Sequence, residues 1–413
     1  MSKLLEQINS SKKELVKLSD VAVVVPGFAF KSKDFSDDGI ALVKITEIQS
    51  PYVVLDRCSR VDTTKYDSKK LGKYFLNEGE FVIAMTGATI GKVGKVITNE
   101  PLLLNQRVAV VRPKPDFSRK FIESKLTSSS FQSYINSIAS GSSAQANISG
   151  DDIGDFKFML PDLPVQNKIA EILNAYDAKI ENNNFIIKKL EATAQNLFNE
   201  WFTNFRFLGY EKVEFVDSEM GQIPEKWEVK KIDDFCKTFG GGTPSTKESS
   251  YWENANIPWA TPTDMTALSS IFINSTAKKI SQNGLNNSST KLLPSNSILM
   301  TSRATVGNLA ISKIPITMNQ GFIACVCDTV SETSFLFWWL KSNVSLVKGL
   351  ATGSTFPEIS RGVFRNIPIV VPDENTLSLF EKRVSSIHEH IYILYKENIS
   401  LGSQRNQLLT KLI

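Results

Sequence analysis

The sequence predicts an α+β chain in which two β-rich domains are separated by a long antiparallel two-helix coiled coil, the whole forming a pseudo-two-fold internal repeat. Three observations carry this reading. The chain matches itself when slid by about 211 to 216 residues. Each copy opens with short runs of strand character bounded by turn residues. Each copy closes with an apolar row whose steps alternate three and four, the period of a coiled coil.

The repeat comes first, because a period above 200 residues describes a duplicated domain and not a solenoid. Leu15–Asp20 (LVKLSD) resembles Val229–Asp234 (VKKIDD), and Met85–Gly91 (MTGATIG) resembles Met300–Gly307 (MTSRATVG). Asn105 and Gln106 match Asn319 and Gln320; Gly141, Ile148 and Ser149 match Gly353, Ile359 and Ser360; Phe156–Pro161 (FKFMLP) matches Ile367–Pro372 (IPIVVP). The matches keep their order, which chance similarity of short apolar strings would not do.

Within the first copy, ALVKITEI, EFVIAMT, KVGKVIT and RVAVVRP read as strands separated by Gly, Asn and Ser turns. A helical stretch follows, FIESKLTSSSFQSYINSIAS in one copy and SFLFWWLKSNVSLVKGL in the other. Then come a Gly/Ser loop, one more strand, a proline and a long helix. This grammar places the first domain at 1–163, a central long helix at 164–205, a linker at 206–226, the second domain at 227–372 and a C-terminal long helix at 373–413.

The apolar row of the central helix is Leu173, Tyr176, Ile180, Asn183, Ile187, Leu190, Ala194, Leu197 and Trp201. Adding 211 gives Val384, Ile387, Ile391, Leu394, Asn398, Leu401, Arg405, Leu408 and Leu412, so the second copy keeps the phase throughout. Each helix runs for about 40 residues, roughly 60 Å. A helix with one apolar stripe needs a partner, and the other copy is the economical one. A parallel in-register pairing would set Ile187 against Asn398 and Ala194 against Arg405, burying polar groups without partners. An antiparallel pairing avoids that register. The expected helix-pair core is Leu173, Tyr176, Ile180, Ile187, Leu190 and Leu197 with Ile387, Ile391, Leu394, Leu401 and Leu408. The plainer alternative packs each helix only on its own lobe.

Composition narrows the function classes. The formal net charge of +4 permits a nucleic-acid partner without demanding one. Four cysteines are too few for a disulfide scaffold. Of these, Cys325 and Cys327 read as small core residues on one strand face, with no second Cys or His pair beside them. The N-terminus lacks an apolar signal core, and VAVVVPGF and FLFWWL are too short to span a bilayer. A soluble, cytoplasmic chain without membrane contact is expected.

Motifs for chemistry fail one by one. Gly87–Lys92 resembles a phosphate loop, but it has three residues between its glycines where four are needed, and Val93 follows the lysine. Gly240–Gly242 lacks the spacing of a dinucleotide fingerprint. The two histidines, His388 and His390, do not share a helix face and read as surface residues. No Asn-Pro-Pro-aromatic tetrad of an adenine methyltransferase is present. No catalytic, cofactor-binding or metal-binding residue is therefore expected: the chain reads as a binder and not a catalyst.

Taken in order, TGATIGKVG, LNQRVAVV, SGSSAQANIS and LPDLPVQNKIAEIL in the first copy, with KTFGGGTPS, MNQGFIACV, ATGSTFPEIS and the heptad tail in the second, resemble the specificity subunit of type I restriction-modification enzymes. SEMGQIPEKWEVKKIDDF resembles that family's linker into its second lobe. The chain departs from the pattern at Ala146, where the family often has proline, and at Phe356, which stands against Gln145. The resemblance implies two target-recognition domains that bind double-stranded DNA and an antiparallel helical spacer that docks two methyltransferase (modification) subunits. Motor-nuclease (restriction) subunits would join the larger complex, in a prokaryotic cytoplasm. It also implies that S-adenosylmethionine, and ATP with Mg for restriction, bind the partner subunits and not this chain.

Two unlike lobes on one pseudo-symmetric frame should read two unlike half-sites, giving a bipartite, asymmetric target with an unread spacer. Affinity should come from Lys and Arg on phosphates, and specificity from side chains at base edges. The candidates are Lys31, Lys33, Lys92 and Arg107 in the first copy, and Lys247, Arg303 and Arg361 in the second. Asn105, Gln106, Asn319 and Gln320 are repeated in both copies, which argues for a role in the fold. The alternatives are a DNA- or protein-binding adaptor outside restriction, or a free-standing enzyme.

Overall fold

The computed structural model describes residues 11–55, 58–139, 147–353 and 357–412. Gln145, Ala146, Phe356 and most of the two Gly/Ser loops lie outside the described residues. The chain divides into two compact units, Met1–Ile180 with Ser400–Ile413, and Glu181–Ile399. Both dividing points fall inside the long helices, Leu163–Phe198 and Glu374–Leu412.

In the first unit the main sheet runs in the order Ala22–Pro26, Val108–Pro113, Phe81–Ala84, Val93–Lys95, Tyr52–Val53, Ile48–Gln49. Val108–Val111 are all buried, as expected of a short continuous apolar run in a strand covered on both faces. A second sheet adds Arg60–Val61, Phe35–Val43, Leu102–Leu104 and Phe75–Leu76. Lys13–Lys17 pairs antiparallel with Lys157–Pro161, tying the start of the lobe to its finish. The helices Arg119–Leu126 and Ser129–Ala139 pack Phe121, Ile122, Phe131 and Ile135 onto Ile83, Ala109 and Val111 of the main sheet.

The second unit repeats this plan. Its main sheet runs Lys237–Gly240, Phe322–Val326, Ile298–Thr301, Leu309–Ser312, Phe272–Ile273, and Glu228–Lys231 pairs with Pro368–Val371. The helix Val330–Ser342 buries Phe335, Phe337 and Trp338 in the core. A single π-helical turn, Asn199–Thr203, follows the first long helix and delivers Trp201 and Phe202 to the same core. Phe202 lies 4.9 Å from Phe380 and 5.0 Å from Phe335, centroid to centroid.

The repeat is thus visible strand by strand, with one correction to its alignment. Ala84 pairs with Val108 as Thr301 pairs with Phe322. Met85 is therefore the counterpart of Ser302 and not of Met300, a local slip of two residues that string similarity hides. Gly87 and Ala304 then coincide, and both are left-handed, at φ 73° and 62°.

In each unit the two long helices lie against one another. In the second, Asn183 faces Asn398 and Trp201 faces Phe380, so the partner number falls along one helix as it rises along the other: the pairing is antiparallel. In the first, Arg405 pairs with Asp177 at 2.6 Å, and Leu173 shares a cluster with Leu408, Leu409 and Leu412. The alternative in which each helix packs only on its own lobe fails. The first lobe's core contains Leu408 and Leu412 of the second helix, and the second lobe's contains Ile187 and Phe198 of the first. Of the expected helix-pair residues, Leu173, Ile187, Ile391, Leu394 and Leu408 are buried, and Tyr176, Ile180, Leu190, Leu197, Ile387 and Leu401 are half-buried.

Asn183 sits on the buried row in a polar layer that engages its amide nitrogen, while its Oδ1 is buried without a hydrogen-bond partner. Its Nδ2 donates to Asn398 Oδ1 at 2.9 Å and to Glu397 Oε2 at 2.7 Å, and Asn398 Nδ2 donates to Asn184 Oδ1 at 2.8 Å. Such a layer fixes register at a cost in stability.

His388 corrects an expectation. It is buried, and its Nε2 accepts the Trp338 indole N–H at 3.0 Å. His390, two residues on, is exposed. The spacing separated the two faces correctly, but the inward face belongs to a core that only the fold assembles. Burial, reinforced by the cations of Lys313 and Lys341, pushes the His388 pKa down to about 4, so the ring stays neutral. No helix among the described residues is long and apolar enough to cross a membrane.

Two predictions follow from the helix pair and its histidine. The Asn398→Leu variant leaves the Asn183 amide short of a partner and should lose about 1–3 kcal/mol of stability, while Leu at both positions should be near neutral; denaturant midpoints decide. The His388 contribution is fully present above the unfolded pKa of 6.5 and fades as pH falls toward 4, by about 3 kcal/mol. His388→Gln keeps an acceptor for Trp338 and should flatten the pH dependence of unfolding between pH 6.5 and 4.

Candidate nucleic-acid interface

In each unit one end of the main sheet gathers a set of loops. In the second unit Gly240 pairs with Ile323, Thr301 with Phe322, and Met300 with Leu309, so these strand ends lie together. The chain leaving Gly240 must pass close to the turn at Asn319. A Cβ on Gly241 would lie 1.7 Å from the Asn319 carbonyl oxygen, so only glycine fits. Asn319 Oδ1 accepts the Gly321 N–H at 2.9 Å, which makes it a turn residue, while Gln320 is exposed and accepts a hydrogen bond from the Thr243 hydroxyl.

The loop after Thr301 is stitched to two neighbours. Ser302 N–H donates to Gly321 O at 2.8 Å, Ile359 N–H to Ser302 O at 3.0 Å, and Ala304 N–H to Pro357 O at 3.0 Å. This brings the 357–361 segment against it, and Arg303 and Glu358 form a β-bridge. Their side chains meet at 3.6 Å, Arg303 Nε to Glu358 Oε2, each about half exposed. Arg361 is exposed and opens the helix Arg361–Arg365, whose first turn Ser360 caps by accepting the Val363 N–H. Its Nη1 lies 4.0 Å from where a Cβ on Gly240 would stand.

The first unit builds the same cluster from different side chains. A Cβ on Gly27 would lie 2.1 Å from the Asn105 carbonyl oxygen. Met85 N–H donates to Arg107 O, and Ile148 N–H to Met85 O, each at 2.9 Å. Thr86 and Asn147 form the β-bridge that Arg303 and Glu358 form in the other lobe. Gln106, Arg107, Asn147 and, after the Gly87–Gly91 turn, Lys92 are exposed. That turn needs its last glycine: Gly91 has φ 77°, and a Cβ would lie 2.7 Å from Ile135 Cγ2. Gly307 repeats this against Val344 Cγ1 at 2.8 Å.

Among the sequence candidates, the fold therefore brings Lys92 and Arg107 to one loop cluster and Arg303 and Arg361 to the other. Lys31, Lys33 and Lys247 are exposed further along the loops that leave Gly27 and Gly242. Lys31 N–H donates to the Tyr66 hydroxyl at 3.3 Å, and Lys247 N–H to Ser245 Oγ at 3.4 Å. Sequence reasoning passed over Glu358 and Asn147. The signal was present: each precedes a matched Ile-Ser pair, at Ile359 and Ile148, and the two copies differ there in charge.

Cys325 and Cys327 lie in and against the core, as their strand pattern predicts. Cys236 is buried beside Cys325 and Cys327, and hydrogen bonding among the three, with burial, raises the Cys236 and Cys327 pKa values, keeping both protonated. Among the described residues no group of three or more His, Cys, Asp or Glu could hold a metal ion. The loop clusters offer guanidinium, ammonium, amide and carboxylate groups on rigid strand ends, the inventory of hydrogen-bond readers.

Comparison with known proteins agrees with this geometry. The model of the type I restriction modification DNA specificity domain matches residues 10–192 and again 224–394. The HindI specificity subunit of Haemophilus influenzae is 26% identical over 377 residues, 77% of this chain and 80% of that protein. The MjaIX specificity subunit of Methanocaldococcus jannaschii is 32% identical over 203 residues, 49% of this chain and only 45% of that protein. The crystal structure of the type I S subunit from M. genitalium shares the fold, with a TM-score of 0.52 at 15% identity, over 98% of this chain and 97% of that one. The chain belongs to the type I restriction-modification DNA specificity family, whose domain it carries twice.

Proposed function

We propose that this chain reads a bipartite, asymmetric DNA sequence and directs adenine methylation and restriction by partner subunits. The observation that carries the reading is the pair of loop clusters: one backbone plan, held by the same Gly–Asn contacts, displaying different side chains. A dimer of identical lobes reads a palindrome. Diverged lobes keep the frame and lose the palindrome.

In this reading Lys31, Lys33, Lys92, Arg107, Lys247 and Arg361 supply phosphate contacts on double-stranded DNA, and Arg303 reads bases. The paired helices set the unread spacer and dock two methyltransferase subunits. Exposed Phe185, Ile393 and Ile399 on those helices give apolar area for docking. Motor-nuclease subunits complete the assembly, with S-adenosylmethionine, ATP and Mg bound on the partners. A target adenine must leave the stack to be methylated, so this chain's task is to hold the flanking DNA while a partner acts.

Deleting the gene should erase one bipartite adenine-methylation motif from the host genome, read by single-molecule sequencing; an unchanged methylome with partner genes expressed refutes the reading. Adding whole helical turns within 180–197, matched in the facing stretch of the second helix, should lengthen the gap and leave both half-motifs as they were. A change of half-motif identity would refute the ruler role.

A further inference from the structure

Resting on that reading, we propose that Arg303 and Glu358 act as one unit that reads a single G·C base pair in the half-site of the second lobe. In the major groove guanine presents two acceptors, N7 and O6, beside the N4 amino donor of its cytosine. The pattern across the pair is acceptor, acceptor, donor. A guanidinium next to a carboxylate is its complement: the fork of Arg303 donates to N7 and O6, and Glu358 accepts from N4. An A·T pair sets an amino donor against the guanidinium and an acceptor and methyl group against the carboxylate, so both halves of the unit are mismatched at once.

Four features support the assignment. The ion pair uses Arg303 Nε, at 3.6 Å from Glu358 Oε2, so the terminal nitrogens that would meet guanine are not the atoms it occupies. At that distance the pair is loose enough to part and steers the two groups side by side. Both residues are exposed, yet both backbones are fixed by the bridge between them and by the bonds of Ser302 to Gly321 and Ile359. Ala304, next to Arg303, is held at φ 62° where the other lobe has Gly87, and such strain in a non-glycine residue gathers at functional sites. Finally, the positions differ between lobes: Thr86 and Asn147 form the same bridge without charge. A group that reads sequence must vary where the two half-sites vary, whereas a structural clip is free to repeat.

The test places Arg303→Ala, Glu358→Gln and Arg303→Lys in the full chain in the host, with methylated motifs read genome-wide. One G·C position in one half-motif should become degenerate in the first two variants, with discrimination there falling roughly 10- to 100-fold. The other half-motif and the spacer should stay unchanged. Both half-motifs retained at full stringency in R303A and E358Q would overturn the proposal. If R303A abolishes methylation altogether, R303K decides. Lysine keeps charge and bulk but lacks the fork, so recovery with a degenerate position supports base reading, and recovery of the full motif reduces Arg303 to a structural clip and overturns it. Failure of the underlying DNA-reading function gives a different result, a methylome indifferent to deletion of the whole gene.

Discussion

The structure depends on a close approach of main chain to main chain. In each lobe the chain leaving the edge strand of the main sheet passes over the turn that leads into the strand beside it. Gly27 meets Asn105 there, and Gly241 meets Asn319, at distances that exclude any side chain. Asparagine turns the chain at that point, as its side chain bonding to Gly321 shows. With this crossing fixed, the neighbouring loops have nowhere else to go. They are drawn against one another by backbone hydrogen bonds, and side chains on them vary without disturbing the frame. The Asn-Gln pair recurs in both lobes at this crossing. The residues around it diverge because nothing in the crossing constrains them.

The long helices pose a different constraint. An apolar stripe of two residues per heptad leaves little latitude in register, and the polar layer at Asn183 and Asn398 narrows it further. The helices are also not appendages of separate lobes. Each contributes to both cores, so the aromatic cluster around Phe202, Phe335 and Phe380 is built from three distant stretches of chain. Packing at this density transmits small changes, and for that reason His388, buried among such groups, cannot take up a proton without cost.

Much of this was legible in the residues. Heptad phase, helix positions and the repeat all follow from periodicity, which is local. The antiparallel sense followed from an argument about poor core pairs. What escaped was what depends on contacts between distant segments. The match of Met85 to Met300 looked right as a string, yet strand pairing moves it by two residues, because a hydrogen-bond ladder and not residue likeness sets equivalence. His388 looked like a surface residue because the Trp338 that covers it lies fifty residues away. Glu358 was overlooked because only a β-bridge brings it to Arg303. The rows of basic candidates were legible as charges but not as a group, since Lys92 with Arg107, and Arg303 with Arg361, meet only when strand ends align.

The packing of Leu408 and Leu412 against Ile169 and Leu173 carries a consequence for biogenesis. The first lobe is synthesised first, yet apolar surface on its side of the helix pair finds its cover only more than two hundred residues later. During that interval the nascent chain displays an uncovered apolar stripe, a target for chaperones or for the helices of neighbouring nascent copies. Completion of the early lobe is thereby coupled to synthesis of the late helix, so a prematurely terminated product would be left with its oldest part unfinished and not only its newest part missing.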